Sequence, residues 1–488
     1  MASRPTNPGP RGRDLTQGPI GKALLAFAVP TLISSVLQSL NGSINTIWVG
    51  RFLGEQALAA TSNANMTMFL LMAFVFGFGM AATVLIGQAF GRKDMDSVRR
   101  TIGTAIGGFA PMAAAIGILG WIFAPDLLKL LATPPASAPL ALAYLRVIFI
   151  AMPFMLIAII MMMGLRGTGD SLSPLWFMIV SVVLDSGLNP VFILGWGPIP
   201  AMGIAGSATA TVIANIVALF GMIAYIYIRD LPIRLRGPEL RYLKPNGALL
   251  KTMVTKGLPM GLQMIVVSSS ALATLGLVNR EGVETTAAFG VAMQLWTYLQ
   301  MPAMALAAAA STMAAQNIGA GKWDRVSAVT RSGITYNLVI TGVLVVLLTI
   351  FDRAALALFL GGNSPALPIA QHIQWLATWS FLLFGVTMVI FGTVRANGAV
   401  MGPLIILTIG LYPVRLGFAL GAYHWLGADA LWLSFPVSSL VNMLLAIGFY
   451  LHGGWRKARM FAPPPPRAEL EEEAQADTEP GGRIAPTG

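Results

Sequence analysis

The pentapeptide LRGTG at residues 165–169 recurs as VRANG at residues 394–398, 229 positions further along the chain. Each copy follows a long apolar stretch. Two other pairs keep nearly the same spacing: GQAFG at 87–91 with AQNIG at 315–319, and FAVP at 27–30 with KGLP at 256–259. Separate matches at one long period are typical of an internal duplication. The sequence therefore predicts two homologous halves.

The composition indicates that a bilayer surrounds most of this chain. Of its 488 residues, 56% are hydrophobic and 10% are charged, whereas a soluble domain carries roughly 25% charged residues. Apolar stretches of about 20 residues cross a ~30 Å hydrocarbon core as helices. We predict an all-α integral membrane protein with twelve transmembrane helices, at 24–48, 57–88, 101–123, 137–163, 172–195, 203–228, 250–277, 286–315, 328–350, 368–393, 400–424 and 429–452.

The twelve predicted spans divide evenly between the halves. Because six is an even number, the second half enters the membrane in the same orientation as the first, which gives two parallel six-helix repeats around a central cavity. The predicted domains are a cytoplasmic tail at 1–22, an N-lobe at 23–228, a basic cytoplasmic linker at 229–249, a C-lobe at 250–455 and a disordered Pro- and Glu-rich cytoplasmic tail at 456–488.

Lysine and arginine residues set the predicted orientation, because positive loops stay on the cytoplasmic side. With the amino terminus inside, the inner loops hold nearly all of them, whereas the outer face has scattered residues such as Arg51, Arg280 and Arg353. The first apolar stretch is too long for the core of a cleavable signal peptide. We expect a multi-pass protein of a bacterial-type inner membrane, with both termini cytoplasmic.

Several functions lack the residues that they need. The formal net charge is +11, but the basic residues are dispersed over short loops, which disfavours nucleic acid as a partner. There are no cysteines for disulfides or thiolate metal sites, and His372, His424 and His452 have no metal-ligand spacing. A phosphate-binding loop is also missing from the sequence. We therefore expect no catalytic residues, no metal and no cofactor.

One acidic residue lies within a predicted span. Asp185 occupies the middle of helix five, one helical turn before Asn189, so that both side chains share a face. An acid in mid-bilayer costs roughly 2.5–3.5 kcal/mol on insertion scales and usually serves an ion or a proton. The alternative is structural: Asp185 would hydrogen-bond neighbouring amides and hold helices together, for about 0.6–2 kcal/mol.

Three motifs resemble signatures of the multidrug and toxic compound extrusion (MATE) family: NTIWVG at 45–50, GQAFG at 87–91 and LRGTGD at 165–170. The resemblance covers residues 22–455, and Arg415 matches an arginine of the family's eleventh helix. The paired motif residues are Gln88, Gly91, Arg166, Gly169, Gln316, Gly319, Arg395 and Gly398. We expect these glycines to end helices in a left-handed conformation, with the Gln and Arg side chains bonding the last carbonyls.

The resemblance implies a secondary active antiporter that needs no ATP site. Such a protein exports bulky, amphipathic and often cationic drugs or toxic compounds through a V-shaped pair of lobes, driven by a proton or sodium gradient. The motifs are closest to those of the proton-coupled prokaryotic branch. We expect a monomer whose partners are these small molecules and the lipid bilayer.

The resemblance also implies a coupling site in the N-lobe, although the sequence departs from the family pattern. In the proton-coupled branch, helix five carries an Asn followed four residues later by an Asp, and helix one carries a second Asp. Here the order is Asp185 then Asn189, and Asn45 replaces the helix-one acid. Thr211 matches a helix-six threonine of that pocket, and Asn41 lies one turn before Asn45. We group these five residues as a cation or proton site.

Two further features bear on the coupling ion. Pro30 removes a backbone hydrogen bond from helix one and should bend it, either as a static kink or as one that responds to protonation. Helix seven reads GLQMIVV at 261–267, and neither it nor helix ten has the acid that sodium-coupled members often carry. The predicted coupling ion is therefore a proton, with sodium as the alternative.

Polar, aromatic and methionine side chains of the C-lobe are candidates for the substrate cavity, although such residues are also common in helix packing. Adaptable surfaces of this kind suit varied apolar cations. The candidates are Gln263, Met293, Gln294, Trp296, Tyr298 and Gln300.

Two other functions stay open. A lipid-linked precursor flippase of the wider superfamily usually has extra spans and a strongly cationic cavity, whereas Arg415 is nearly the sole central cation in this sequence. A channel is a further alternative, but a channel needs neither a duplicated lobe nor a buried carboxylate.

Overall fold

The structure is a computed structural model that describes residues 12–130 and 133–460 of the chain. Within these ranges it consists of helices joined by turns, with no β-strand. Helices prevail because a backbone in hydrocarbon must satisfy its own hydrogen bonds. The predicted all-α class is confirmed. Most of the predicted disordered tail, from residue 461 onward, lies outside the described residues.

The first half of the chain forms six long helices, which together we call the N-lobe. They are α1 (Ile20–Leu53), α2 (Glu55–Gly91), α3 (Met95–Leu130), α4 (Ala138–Gly167), α5 (Leu172–Leu194) and α6 (Ile204–Ile228). The linker that follows contains a short 3₁₀ helix, Gly237–Leu243, which is fixed to α3 by an ion pair of 2.5 Å between Arg99 and Glu239.

The second half, which we call the C-lobe, is more finely divided. Its helices are α7 (Gly247–Val278), α8 (Val283–Gly319), α9 (Trp323–Ile350), α10 (Asp352–Leu360), α11 (Ala366–Ala377), α12 (Ser380–Arg395), α13 (Met401–Ile409), α14 (Gly417–Gly421), α15 (Tyr423–Leu426) and α16 (Asp429–His452). A π-helical segment, Gly410–Leu416, joins α13 to α14.

The described helices account for the twelve predicted spans. Ten are long and apolar enough to cross a membrane, and the number is eleven if α11 and α12 count as one bent span. The remaining long helix is α8, whose 37 residues include many alanines together with polar glutamines and threonines that lower its mean hydropathy. It packs against α1, α2 and α12 and completes the second six-helix repeat.

The span predicted at 368–393 is broken rather than continuous. The chain bends by 48° between α11 and α12. At this point the indole Nε1 of Trp296 donates to Gln374 Oε1 over 2.8 Å and to Thr378 Oγ1 over 3.0 Å. Both acceptors lie at the end of α11, so a single buried indole fixes the position of the bend.

The two lobes meet at one end of the bundle, which we call the motif end because it carries the paired glycine motifs. At this end, continuous apolar cores contain side chains of both lobes. At the opposite end each lobe has its own core, one formed by N-lobe residues and the other by C-lobe residues. The lobes are thus joined at the motif end and separate at the other, which is the V shape that the family resemblance implies.

Gly91 and Gly319 lie where the two lobes touch. A Cβ atom on Gly91 would overlap the carbonyl oxygen of Gln316, and one on Gly319 would overlap that of Gln88. Both glycines are helical, so the expectation that they end helices in a left-handed conformation is wrong. They are needed instead because a side chain would push the lobes apart. The left-handed residues come two positions later, at Lys93 and Gly321.

The second pair of motifs fits the expectation more closely. Gly169 and Gly398 have φ angles of 84° and 86°, so both adopt the predicted left-handed conformation after a helix end. Arg395 Nε donates to the carbonyl oxygen of Phe391 over 3.1 Å, as expected for a capping side chain. Arg166 differs, because its Nε is buried with no acceptor.

Gln88 and Gln316 connect the lobes rather than capping their own helices. Gln88 Nε2 donates to the carbonyl oxygen of Ala396 over 2.7 Å, and Gln316 Nε2 donates to that of Gly167 over 3.2 Å. The two bonds are equivalent under the internal repeat, and each crosses from one lobe to the other. The glutamines do bond carbonyls at helix ends, as predicted, but these carbonyls belong to the opposite lobe. The two lobes come close enough for these bonds because the nearby glycines have no side chain.

The segment before α1 reinforces this junction. Arg13 N donates to Thr168 O of the N-lobe over 3.1 Å. Leu15 N donates to Gln316 Oε1 over 2.9 Å, and Lys322 Nζ donates to Thr16 O over 2.9 Å. Residues 12–19 therefore lie across both lobes at the motif end.

Candidate functional site

The acidic residue predicted to lie within the membrane is buried at the centre of a polar cluster. Asp185 is 1% exposed, on a helix that packs between α1 and α6. Asn41 and Asn45 project toward it from α1, Asn189 lies one turn further along α5, and Thr211 comes from α6. All five residues that the sequence groups together are thus brought into one hydrogen-bonded network.

The carboxylate of Asp185 is fully occupied by neutral donors. Its Oδ2 accepts from Asn41 Nδ2 at 2.8 Å and from Asn45 Nδ2 at 2.9 Å. Its Oδ1 accepts from Asn189 Nδ2 at 2.9 Å and from Thr211 Oγ1 at 3.0 Å. Because hydrogen bonds compensate a buried charge, these four donors let a carboxylate lie inside the lobe without a cation.

Two amide oxygens of the same network, Asn41 Oδ1 and Asn189 Oδ1, are buried and have no donor among the side chains that the structure describes. Buried polar atoms usually find a partner, so an unpaired acceptor beside a carboxylate is a place where a proton or a cation can be received. No cluster of three or more His, Asp or Glu side chains suited to a metal occurs within residues 12–130 and 133–460.

The network extends to residues that the sequence reasoning missed. Asn215 Nδ2 donates to the carbonyl oxygen of Thr211 over 2.8 Å, and Ser181 Oγ donates to Asn215 Oδ1 over 3.2 Å. The i, i+4 spacing of Thr211 and Asn215 could have identified the second residue.

Helix α1 links this network to the lobe junction. It runs as one helix from Ile20 to Leu53 with Pro30 inside it, and Ser34 Oγ donates to the carbonyl oxygen of Pro30 over 2.9 Å. Between Pro30 and the motif end, Phe27 joins a core that includes Leu306 and Val389 of the C-lobe. The bend at Pro30 stays a prediction.

The C-lobe encloses a cavity of about 270 Å³. Its walls combine aromatic, aliphatic and polar side chains, and they include Thr274, Phe289, Trp296, Phe435, Asn442 and Arg415. The cavity lies beside the π-helical segment, because that segment carries Arg415. Its lining includes the first, fifth and sixth spans of the C-lobe, which are the spans that hold the Asp185 network in the N-lobe, and α8 and α12 complete its walls.

Arg415 is the cation of this cavity. Its Nε donates to Ser438 Oγ over 3.1 Å, and its guanidinium carbon lies 4.4 Å from the centre of the Phe435 ring. Within the described residues, Arg415 forms no ion pair. Arg415 therefore lines the cavity without a carboxylate partner among the described residues.

The six predicted cavity residues divide into three groups. Met293, Trp296 and Gln300 line the C-lobe cavity. Gln294 and Tyr298 lie on an exposed face of α8 and do not line it. Gln263 is 5% exposed and does not line it either.

The position of Gln263 corrects the prediction for that residue. Its Nε2 donates to the carbonyl oxygen of Val400 and its Oε1 accepts from Arg395 Nη1, each over 3.3 Å. Gln263 therefore belongs to the helix ends near the motif end. Periodicity alone could not separate the faces of α7 and α8, because both helices are contacted on more than one side.

Two six-helix lobes, with a buried carboxylate in one and a cavity beside an arginine in the other, are typical of a multi-pass membrane transporter. A family model described as MatE matches residues 30–191 and again residues 259–420, once in each half. The chain therefore belongs to the MatE family, which confirms the resemblance to multidrug and toxic compound extrusion transporters.

Relatives and solved structures agree with this family over nearly the whole chain. The "Probable multidrug resistance protein YoeA" of Bacillus subtilis (strain 168) is 38% identical over 443 residues, covering 90% of this chain and 95% of the relative. The "Probable multidrug resistance protein YpnP" of the same strain is 30% identical over 449 residues, covering 92% and 98%. A structure described as an outward-facing conformation of a multidrug resistance MATE family transporter has a TM-score of 0.81 at 20% identity, covering 96% of this chain and 99% of its own.

Proposed function

We propose that this protein is an antiporter that exports amphipathic, often cationic compounds in exchange for protons. The relatives YoeA and YpnP are both named as probable multidrug resistance proteins, which supports the substrate class. The observation that carries the coupling is the buried carboxylate of Asp185, which four neutral donors hold without a cation. Sodium is the competing coupling ion.

The distribution of positive charge supports an orientation with the motif end in the cytoplasm. Lys93, Arg99 and Lys322 lie in the turns or first helical turns at that end, and cationic loops are retained inside. In this orientation both termini are cytoplasmic, and the V opens to the outside of a bacterial-type inner membrane. The described conformation is then the one that releases substrate and takes up protons. We take the transporting unit to be a monomer, because each chain carries both lobes.

Protonation of Asp185 would force the network to rearrange. A protonated carboxyl has an O–H donor, and this donor would meet an Asn or Thr donor that already points at the same oxygen. The conflict ends if an amide rotates and offers its oxygen. Asn41 Oδ1 and Asn189 Oδ1 are available for this role because, within the described residues, neither has a donor. Sodium would use these oxygens differently, as ligands together with the carboxylate.

The rearrangement has a mechanical route to the lobe junction. Asn41 and Asn45 are attached to α1, and the same helix packs against the C-lobe near Phe27. A change in how α1 sits on α5 would therefore alter its contact with the C-lobe. A proton that crosses 100 mV supplies about 2.3 kcal/mol, which corresponds to a substrate gradient of tens-fold.

The test is uptake of a fluorescent lipophilic cation into inverted membrane vesicles under an imposed proton or sodium gradient. We compare wild type with Asp185→Asn, which keeps the size of the side chain but cannot take up a proton. Asp126→Asn is the matched control, because Asp126 is exposed and pairs with Lys129 on the surface of α3. Exchange of substrate without a gradient checks that each variant is folded.

We expect proton-driven uptake in wild type and in Asp126→Asn, and uptake at least about tenfold lower in Asp185→Asn with exchange retained. Gradient-driven uptake that survives in Asp185→Asn would refute the coupling role of this residue. Uptake driven by a sodium gradient alone would identify sodium, rather than the proton, as the coupling ion. No uptake under either gradient would favour the lipid-linked precursor flippase.

A further inference from the structure

The C-lobe cavity carries charge of the opposite sign to the N-lobe network at an equivalent place in the repeat. Adding the 229-residue offset to Asp185 gives position 414, and the additional residue of the π-helical segment Gly410–Leu416 brings Arg415 into the corresponding place. A cation in hydrocarbon is as costly as an acid, so Arg415 also calls for a functional explanation.

The helices around the two charges support this correspondence. Gly203 and Gly427 precede α6 and α16 with left-handed φ angles of 57° and 58°. Thr211 and Phe435 each lie eight residues after these glycines. Thr211 donates to Asp185, whereas Phe435 presents its ring to the guanidinium of Arg415. A carboxylate with a hydroxyl donor in one lobe is thus replaced by a guanidinium on an aromatic ring in the other.

The residues of the first span in each lobe also differ, with amides in the N-lobe and hydroxyls in the C-lobe. Asn41 and Asn45 of α1 correspond to Ser270 and Thr274 of α7 by the same offset. Ser270 Oγ donates to the carbonyl oxygen of Leu411 over 3.2 Å, and Thr274 lines the cavity. Among the described residues, Arg415 bonds one side chain, Ser438, whereas Asp185 bonds four, and Arg415 lines the cavity of about 270 Å³.

We propose that this cavity binds a small aromatic carboxylate, with the acid group on Arg415 and the ring among Phe289, Trp296 and Phe435. A guanidinium presents a planar fork that pairs with a carboxylate through two parallel hydrogen bonds. An apolar cavity of about 150 Å³ accommodates benzene, so the C-lobe cavity has room for two fused rings. The proposal rests on the export function and extends it to anionic substrates.

A second group in the cavity indicates which ligands fit best. Asn442 lines the same cavity and is 6% exposed, and its buried Oδ1 has no donor within the described part of the chain. A buried acceptor without a partner is unfavourable, because it has lost its hydrogen bond to water. A ligand hydroxyl or amino group would satisfy it. An aromatic acid that also carries a hydroxyl group should therefore bind more tightly than the unsubstituted acid.

The experiment measures binding of hydroxynaphthoate to purified protein in detergent, without a gradient, by quenching of tryptophan fluorescence and by calorimetry. Hydroxynaphthamide and naphthylmethylammonium serve as the neutral and cationic ligands of similar shape. The variants are Arg415→Gln, which removes the charge, and Arg415→Lys, which keeps the charge but not the fork. Arg353→Gln is the matched control, because Arg353 is exposed on α10.

We expect hydroxynaphthoate to bind wild type and Arg353→Gln equally, and to bind Arg415→Gln at least about tenfold more weakly, which is the loss of one charge-assisted pair. Arg415→Lys should be intermediate. Unchanged binding of hydroxynaphthamide to Arg415→Gln shows that the cavity is intact. Equal binding of hydroxynaphthoate to wild type and Arg415→Gln, or tighter binding of the ammonium compound, would overturn the proposal.

Failure here can be distinguished from failure of the proposed export function. The binding measurement uses no ion gradient, and Asp185 does not line the cavity. If the aromatic acid does not bind while proton-driven cation uptake persists, the anion site alone is wrong. If the acid binds but no gradient drives uptake, the coupling is wrong and the site stands.

Discussion

Asp185 in the N-lobe and Arg415 in the C-lobe lie at corresponding places in a duplicated fold, yet their surroundings differ in kind. Asp185 accepts four side-chain hydrogen bonds in a closely packed network. Arg415 makes one side-chain hydrogen bond and one ring contact beside a cavity of about 270 Å³. In the first arrangement the donors fill the space around the charge, whereas the second leaves space for a molecule.

This difference shows how duplication can separate two tasks of a transporter. The repeat supplies the same helix arrangement twice, so each lobe has one charge between its first, fifth and sixth spans. Amide side chains close the space around the charge in one lobe, and a π-helical turn with an aromatic ring leaves it open in the other. The structural symmetry is therefore kept at the motif end and lost at the two sites.

The largest expected effect concerns stability. Asp185→Ala removes the acceptor of four hydrogen bonds, so three amides and one hydroxyl lose their partner. At roughly 0.6 kcal/mol per bond, the free energy of unfolding should fall by about 2 kcal/mol. Arg415→Ala should lower it by less than about 1 kcal/mol, because one neutral hydroxyl depends on this arginine. Equilibrium unfolding in detergent measures both, and equal losses would show that Arg415 is also structural.

The next effect concerns the donor from α6. Thr211→Val keeps the shape of the side chain but removes the hydroxyl that donates to Asp185 Oδ1. We expect proton-driven uptake to fall about fivefold, as for the loss of roughly 1 kcal/mol from one hydrogen bond. Thr211→Ser should stay close to wild type. If Thr211→Ser is as impaired as Thr211→Val, the methyl group and its packing matter, and the hydroxyl does not.

A smaller effect is expected at the motif end, where the two halves remain alike. Gln316→Ala removes one hydrogen bond to Gly167 and another from Leu15. Gln88→Ala removes only the bond to Ala396. We therefore expect Gln316→Ala to loosen the junction more. The native chain has no cysteine. A single cysteine can therefore be introduced at the junction, and the rate at which a maleimide labels it reports how often the junction opens.

For this labelling experiment the introduced residue is Ala315→Cys, because Ala315 is fully buried where the lobes meet. We expect about two- to fivefold faster labelling in Gln316→Ala, which corresponds to roughly 0.5–1 kcal/mol. Gln294→Ala on the exposed face of the same helix is the control. A faster rate in Gln88→Ala than in Gln316→Ala would contradict the added role of residues 12–19.

The smallest effect concerns the hydroxyl that orients the guanidinium. Ser438→Ala removes the acceptor of Arg415 Nε while leaving the charge and the Phe435 contact in place. Hydroxynaphthoate should bind about two- to threefold more weakly, since one neutral hydrogen bond contributes roughly 0.5–1 kcal/mol. A tenfold loss, measured by the same calorimetry, would mean that Ser438 contacts the ligand itself.

Much of the fold could be read from the sequence because its signals are local or periodic. Long apolar stretches predict helices, since no other open structure satisfies a backbone in hydrocarbon. The repeated motifs predict two halves, and the MatE model matches both of them. The grouping of Asp185 with Asn189 follows from helical spacing, and the other members of the network follow from the family resemblance.

The less regular features could not be predicted in this way. The 48° break near Thr378 depends on an indole that comes from α8. The π-helical segment Gly410–Leu416 has no spacing signal of its own, yet it determines where Arg415 lies. Gln263 has the composition of a cavity residue but is buried against Val400. Each feature arises from contacts between residues that are far apart in the chain.

The sequence by itself determined the helices, the duplication, the family and the candidate acid, because hydropathy, period and motif are properties of a linear chain. The tertiary structure decided that Gly91 and Gly319 serve the lobe junction, that four donors surround Asp185, and that Arg415 is left open to a cavity. The physical reason is that hydrogen-bond partners and empty space depend on where helices cross, and crossing is settled only when side chains from distant segments pack together.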